Sequence, residues 1–325
     1  MVGSERAVAE NLMEKTQENL RGKDIISIDD LTAEDISEVL AQASAYDLNR
    51  HLNKGFDGRR VALCFFEPST RTYTSFEKAV NDLGGKTYGF RSPAGTSIEK
   101  GESFEDTIKT YDCYGIDAII VRDKNENSPM LASSIARVPV INAGNGADEH
   151  PTQALLDLYT IWKRKGSFQG LKIGILGDLK YGRAAHSLAL GLRHFDVSLY
   201  LISQKELMLG ERYKSMIESS GTRFHEVPHT DLKKVAGELD VFYVMRLQSE
   251  RIEDSEEKAV IIENYPRVDA SILDANKRLM IMHPFPRGRE LSRELDTTPN
   301  AAYFEQMENS IPLRQALLSL IFKEK

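Results

Sequence analysis

The stretch Phe65 to Gly85, FFEPSTRTYTSFEKAVNDLGG, restricts the fold of this chain more than any other. The apolar run Val61–Phe66 predicts a buried strand, Pro68 ends it, and Gly84-Gly85 closes the helix that follows. Ser69, Thr70, Arg71 and Thr72 therefore arrive at the start of a helix, where backbone N–H groups lack intrahelical partners and the positive end of the macrodipole lies. A phosphate can bind in such a place without help from elsewhere. A helix cap needs one hydroxyl; three hydroxyls around a guanidinium in four residues exceed that need and predict an anion site.

A chain of 325 residues exceeds what one core usually organises and predicts two domains, with a cleft between two lobes. With 41% hydrophobic and 28% charged residues the composition is globular, and no apolar run approaches the roughly 20 residues that span a bilayer. A membrane partner is not expected. The charged N-terminus, MVGSERAVAENLMEKTQENLRGK, lacks the apolar stretch of a secretory signal and predicts a surface helix. A net charge of −7 argues against a nucleic-acid partner and implies that positive charge, where needed, is local. Cys64 and Cys113 have no metal-binding spacing and suit a reducing cytoplasm, so neither a metal nor a disulfide framework is expected.

Strand patterns alternate with helical ones throughout, the signature of parallel α/β architecture. Strands are predicted at Val61–Phe66, Lys86–Phe90, Ala118–Arg122 and Val140–Asn142 in the first half, then at Leu171–Leu176, Val197–Ile202, Val241–Met245 and Leu279–Met282. Helices are predicted at His150–Lys163, where it bridges the lobes, near Gly182–His194 and Glu211–Ser220, and near Ala301–Phe322 as an amphipathic last helix.

The segment KIGILGDLKYGR has glycines between a strand and a helix, but Gly174, Gly177 and Gly182 do not make the spacing of a dinucleotide site. It does supply Arg183 where open α/β sheets place ligands. Arg122 after DAIIV, Arg246 and Gln248 after DVFYVM, and Pro284-Phe285-Pro286-Arg287 after LMIMH stand at comparable strand ends. Four arginines and a hydroxyl cradle predict a cationic cleft for small substrates with several acidic groups. His150 and Gln153 share one helical face, and the His150 N–H is placed to reach a carbonyl oxygen.

These motifs, STRT at 69–72, HPTQ at 150–153, GDLKYGR at 177–183, RLQ at 246–248 and HPFPR at 283–287, occur in an order that resembles the aspartate carbamoyltransferase family over nearly everything after Arg21. The resemblance implies two doubly wound parallel-sheet domains with interdomain helices. Residues 1–150, completed by a C-terminal helix at about 301–325, would bind carbamoyl phosphate; residues 151–300 would bind L-aspartate. The implied reaction moves the carbamoyl group to the α-amine of aspartate, giving N-carbamoyl-L-aspartate and phosphate in pyrimidine synthesis, with no cofactor or metal. Ser69, Thr70, Arg71 and Thr72 would hold the phosphate with Arg122, and Thr72, Arg122 and His150 would polarise the carbamoyl oxygen. Gln153 and the carbonyls of Pro284 and Phe285 would hold the amide, with Phe285-Pro286 resembling the family's cis-proline turn. Arg183 would take the α-carboxylate, and Arg246 with Gln248 the β-carboxylate.

Further implications concern assembly. Within TSIEKGE at 96–102, Ser97 and Lys100 would reach the active site of a neighbouring subunit, making the active sites of a homotrimer shared. Glu67 would pair with Arg183 and Arg251 on domain closure, and Lys180 with Glu256 of another chain. A regulatory chain or dihydroorotase partner is left open. An ornithine or other amino-acid carbamoyltransferase is the nearest alternative, although HPFPR and RLQ stand where ornithine-specific relatives differ; a catalytically silent scaffold is the other. Tyr73 and Phe285 depart from the family's frequent arginine and leucine.

Overall fold

The computed structural model describes residues 20–48 and 56–322. The N-terminal helix expected before Lys23 falls outside these residues except for its end, where residues 20–22 form a turn. The chain divides into two compact units, residues 1–159 with 309–325, and residues 160–308.

The first unit runs α1 (Ala33–Leu48), β1 (Arg60–Phe65), α2 (Thr70–Asp82), β2 (Lys86–Phe90), α3 (Phe104–Cys113), β3 (Ala118–Asp123), α4 (Ser128–Ile135), β4 (Val140–Asn145) and α5 (Pro151–Lys165), and ends with a C-terminal helix, Ser310–Ile321. Its four strands are parallel in the order β2-β1-β3-β4. Val61 to Phe65 are fully buried, as an uninterrupted apolar run covered on both faces requires. Helix α2 buries Thr72, Tyr73, Ser75, Phe76, Ala79 and Val80, a stripe at helical spacing. The C-terminal helix lies against α1 and α2.

The second unit runs β5 (Leu171–Leu176), α6 (Arg183–Leu192), β6 (Val197–Ser203), α7 (Glu211–Ser219), β7 (Arg223–Pro228), α8 (Leu232–Ala236), β8 (Val241–Val244), α9 (Ser255–Glu263), α10 (Ile272–Ala275), β9 (Met280–Met282) and α11 (Tyr303–Glu308). Its five strands are also parallel, in the order β7-β6-β5-β8-β9. Each sheet reverses its winding once, between β1 and β3 in the first and between β5 and β8 in the second. Ligands of open α/β sheets bind beyond the carboxyl ends of the strands at such a reversal.

Four expectations need correction. The chain passes between units at Tyr159, inside α5, rather than at residue 150; Leu155 and Leu158, both fully buried, fall in the first unit. The return to the first unit falls at Asn309 rather than 301. The last helix is two helices, since Pro312 has no N–H for the carbonyl of residue 308; in the second only one stripe, Ile311, Gln315 and Ser319, is partly exposed. Strand β7, RFHEVP, was not predicted: it is an edge strand that buries only Val227 and so shows neither an apolar run nor alternation.

Leu317 is fully buried in the C-terminal helix. Leu317→Ala is expected to destabilise the first unit by about 2–5 kcal/mol, measured by urea denaturation.

Candidate active site

Ser69 occupies the N-cap of α2 in extended conformation, yet its side chain makes no capping hydrogen bond. The hydroxyl is therefore not spent on the helix. Thr72 is buried on the inner face, and Ser75 Oγ donates to the Arg71 and Thr72 carbonyls at 2.6 and 3.0 Å, fixing the first turn. The turn is tied to the neighbouring strand: the Phe66 and Glu67 N–H groups donate to the Arg122 carbonyl at 2.8 and 3.2 Å. The β3–β4 register shifts between Val121 and Asp123, and Arg122 lies in that irregularity. Arg122 is 9% exposed, and its guanidinium contacts Glu67 Oε2 at 3.0 Å and donates to the Ala143 carbonyl at 3.1 Å. A buried, twice-anchored guanidinium thus stands at the same sheet reversal as the hydroxyls.

His150 is held by the loop before it. Asn142 donates to the Ile26 carbonyl and to Asn145 Oδ1 at 2.8 and 2.9 Å, Asn145 Oδ1 accepts the Glu149 N–H at 3.1 Å, and Glu149 accepts from Ser27 Oγ and the Ile28 N–H. Buried polar groups that satisfy one another in this way fix a loop in one conformation. His150 itself is buried, with Nδ1 3.4 Å from Thr152 Oγ1, and Gln153 Nε2 donates to Asp157 Oδ1 at 2.8 Å. Ser97 and Lys100 bracket an exposed 3-10 turn capped by Thr96.

In the second unit a single carboxylate organises the reversal between β5 and β8. Asp178, fully buried, accepts the Tyr181 N–H at 2.9 Å and the Gln248 N–H at 3.0 Å, joining the loop that ends in Arg183 to the loop that carries Arg246. Burial raises its pKa, and these backbone bonds oppose the rise. Tyr265 Oη accepts the Asp178 N–H at 2.7 Å and donates to the Met245 carbonyl at 2.8 Å. Such close approach needs glycine at two places. A Cβ on Gly177 (φ 115°) would come within 2.3 Å of Tyr265 Oη, and one on Gly182 within 2.2 Å of the Asp178 carbonyl oxygen. Gln248 Nε2 donates to the Tyr181 carbonyl, and Arg251 Nε donates to Gln248 Oε1 at 3.2 Å. Arg246 uses Nη1 and Nη2 on Glu250 at 3.1 and 2.7 Å and Nη1 on the Leu247 carbonyl at 2.9 Å. The side of the guanidinium formed by Nε and Nη2 is left to receive a second carboxylate.

Beyond β9, the Phe285–Pro286 bond is cis and Phe285 has φ 54°. His283 supports this turn: Nδ1 accepts the Phe285 N–H at 2.9 Å, so the ring proton is on Nε2, which donates to Glu290 Oε1 at 2.9 Å. The Pro284 and Phe285 carbonyls thereby project from a fixed backbone. Arg287, counted with the cationic cluster from sequence, instead grips Asp296 at 2.5 and 3.0 Å, and Tyr303 Oη donates to the same carboxylate.

Two family models match the chain: the aspartate/ornithine carbamoyltransferase carbamoyl-P binding domain over residues 23–163 and the Asp/Orn binding domain over residues 169–321. The chain belongs to the aspartate/ornithine carbamoyltransferase family. It is 47% identical over 305 residues to the aspartate carbamoyltransferase catalytic subunit of Thermococcus onnurineus, covering 92% of this chain and 97% of that one. Aspartate transcarbamoylase from Trypanosoma cruzi in complex with N-(phosphonacetyl)-L-aspartic acid superposes with a TM-score of 0.86 at 35% identity, covering 93% and 96% of the chains. The same enzyme with carbamoyl phosphate and aspartate gives a TM-score of 0.85 at 35% identity, covering 92% and 96%.

As a carbamoyltransferase fold, the first unit gathers Glu67, Ser69 to Thr72 and Arg122 at one reversal, and the second gathers Lys180 to Arg183 with Arg246 to Arg251 at the other. Lys180 and Glu256 are exposed, Glu256 in the first turn of α9. Sequence reasoning missed the positioning residues of this carbamoyltransferase, Asp178, Tyr265, Glu250, Glu290 and the Asn142–Asn145–Glu149 web. Asp178 lies inside GDLKYGR, a motif already singled out, and a polar residue within an apolar strand-to-loop transition was the available signal for it and for Asn145. Among the described residues no group of His, Cys, Asp or Glu side chains is placed to hold a metal ion.

Asp178→Ala leaves the Tyr181 and Gln248 N–H groups without their acceptor. It is expected to cost about 2–5 kcal/mol and to speed amide exchange at residues 181 and 248, read by denaturation and hydrogen exchange. The Arg287 guanidinium, helped by the Tyr303 hydroxyl and opposed by burial, holds the Asp296 carboxyl below its ordinary 3.8. A depressed carboxylate stabilises the fold above its unfolded pKa and loses that contribution as pH falls through the folded value. Asp296→Asn is therefore expected to lower the thermal midpoint at pH 7, with the gap to wild type closing below about pH 4.

Proposed function

We propose that the chain is an aspartate carbamoyltransferase, which moves the carbamoyl group of carbamoyl phosphate to the α-amine of L-aspartate and releases phosphate. The observation that carries the reading is the uncommitted Ser69 hydroxyl at the start of α2, beside Arg71 and at the sheet reversal that holds Arg122. The relatives named aspartate carbamoyltransferase, and the T. cruzi enzyme described with carbamoyl phosphate and aspartate, support it.

In this reading the first unit is the carbamoyl phosphate domain and the second the aspartate domain. Ser69, Thr70, Arg71 and Thr72 bind the phosphate with the N–H groups of α2. Thr72, Arg122 and His150 donate to the carbamoyl oxygen, stabilising the negative charge that develops there when the amine attacks. Gln153 and the Pro284 and Phe285 carbonyls hold the amide. Arg183 takes the α-carboxylate of aspartate, while Arg246, positioned by Glu250, and Gln248 take the β-carboxylate. The C–N bond forms, the bond from carbon to the phosphate oxygen breaks, and the departing phosphate accepts the amine proton, with His150 a neutral donor. Fixing two anions against their repulsion supplies most of the acceleration. An ornithine side chain would bring an ammonium to Arg246, which disfavours that acceptor.

The reading extends to a cytoplasmic homotrimer in which Ser97 and Lys100 of one chain complete the site of the next. On closure Glu67 pairs with Arg183 and Arg251, and Lys180 pairs with Glu256 of another chain. Association with a regulatory chain or dihydroorotase is compatible with this assembly.

The test is carbamoyl transfer by the purified chain with carbamoyl phosphate and either L-aspartate or L-ornithine. Carbamoyl-aspartate is the expected product, and carbamoyl-ornithine or no product would overturn the assignment. Arg71→Ala is expected to lower kcat/KM about 10²-fold or more, and Arg246→Ala to raise the KM for aspartate by at least tenfold.

A further inference from the structure

Arg314, on the C-terminal helix, is 2% exposed. Its guanidinium stacks over the Phe76 ring at 4.6 Å, Nη1 donates at 3.4 Å to the Ser310 carbonyl of its own helix, and Nε has no acceptor. Among the described residues no carboxylate offsets its charge, and burial pushes its pKa down to about 9. An unpaired cation is one of the costlier groups to enclose, and an apolar side chain of similar length would fill the same space more favourably. Packing alone gives no reason for arginine here.

Its position supplies one. Phe76 stands one turn after Thr72 on the same buried face of α2, so Arg314 lies behind the helical turn that forms the hydroxyl cradle. We propose that Arg314 is a buried counter-charge for the phosphate group held at the start of α2, a positioning residue that touches neither substrate nor reacting atoms. The assignment rests on reading Ser69–Thr72 as a phosphate cradle. Out of water, a unit charge within about two helical turns acts strongly on a dianion, and the bound phosphate in turn offsets the burial of the guanidinium.

The full-length chain, Arg314→Met and Arg314→Lys are compared by calorimetric titration with inorganic phosphate and by steady-state kinetics. Arg314→Met keeps the packing on Phe76 and removes the charge. It is expected to fold with an unchanged or raised thermal midpoint, to weaken phosphate binding and raise the KM for carbamoyl phosphate about tenfold or more, and to leave the KM for aspartate within about twofold. Arg314→Lys restores a cation only where the buried ammonium stays protonated, and is therefore expected to bind phosphate more tightly than Arg314→Met at about pH 6, with the advantage fading as pH rises. Wild-type phosphate affinity in Arg314→Met would overturn the proposal while leaving the cradle intact. If Arg314→Met does not fold, the pH dependence of Arg314→Lys decides: phosphate affinity that falls relative to wild type as pH rises from about 6 to about 8 supports the counter-charge, and a ratio to wild type that does not change with pH overturns it. A wild-type chain that binds no phosphate would overturn the cradle itself, and this assignment with it.

Discussion

Where a parallel sheet reverses its winding, two neighbouring strands send their following segments to opposite faces, and the space beyond their carboxyl ends is bordered only by loops. Both sheets of this chain reverse once, and every motif of the carbamoyltransferase signature outside the 150s helix and the β9 turn sits at a reversal. The Arg122 carbonyl makes the first one rigid by accepting the Phe66 and Glu67 N–H groups from the adjacent strand. Asp178 does the corresponding work in the second, holding two loops by their backbone N–H groups. Side chains that must meet small anions are thus mounted on segments whose own polar groups are already satisfied.

The units differ in one electrostatic respect and agree in another. In the first, the start of α2 presents N–H groups, an uncommitted hydroxyl and Arg71, and the buried Arg314 adds charge from behind. In both, arginines are steadied by protein carboxylates: Arg122 by Glu67 in the first unit, Arg246 by Glu250 and Arg287 by Asp296 in the second. A chain with net charge −7 concentrates positive potential at chosen loops in this manner without a broadly basic surface.

Much of this was legible in the sequence because strand-end motifs combine two signals, an apolar run and then a cluster of donors. Val61–Thr72 and Val241–Gln248 are of this kind, and their strands form within one residue of the expected ends. Strand β7 was illegible because an edge strand with exposed faces carries no hydrophobic pattern and is defined by its pairing to β6. The anchors were illegible for a different reason. Glu149 meets Ser27 across 122 positions of sequence, and Asp178 meets Gln248 across 70, so their roles exist only once the chain is folded. Arg287 illustrates the opposite error: an arginine in a ligand-like motif can be consumed by a structural partner, here Asp296 nine residues on.

In the proposed reaction phosphate and aspartate are recognised by separate sets of groups, one on each sheet. Calorimetric titration of inorganic phosphate into Arg71→Ala and Arg246→Ala tests it most directly. Arg71→Ala is expected to lose phosphate affinity by about tenfold or more, while Arg246→Ala binds phosphate as wild type does. Phosphate binding that survives Arg71→Ala, or that falls in Arg246→Ala, would contradict it.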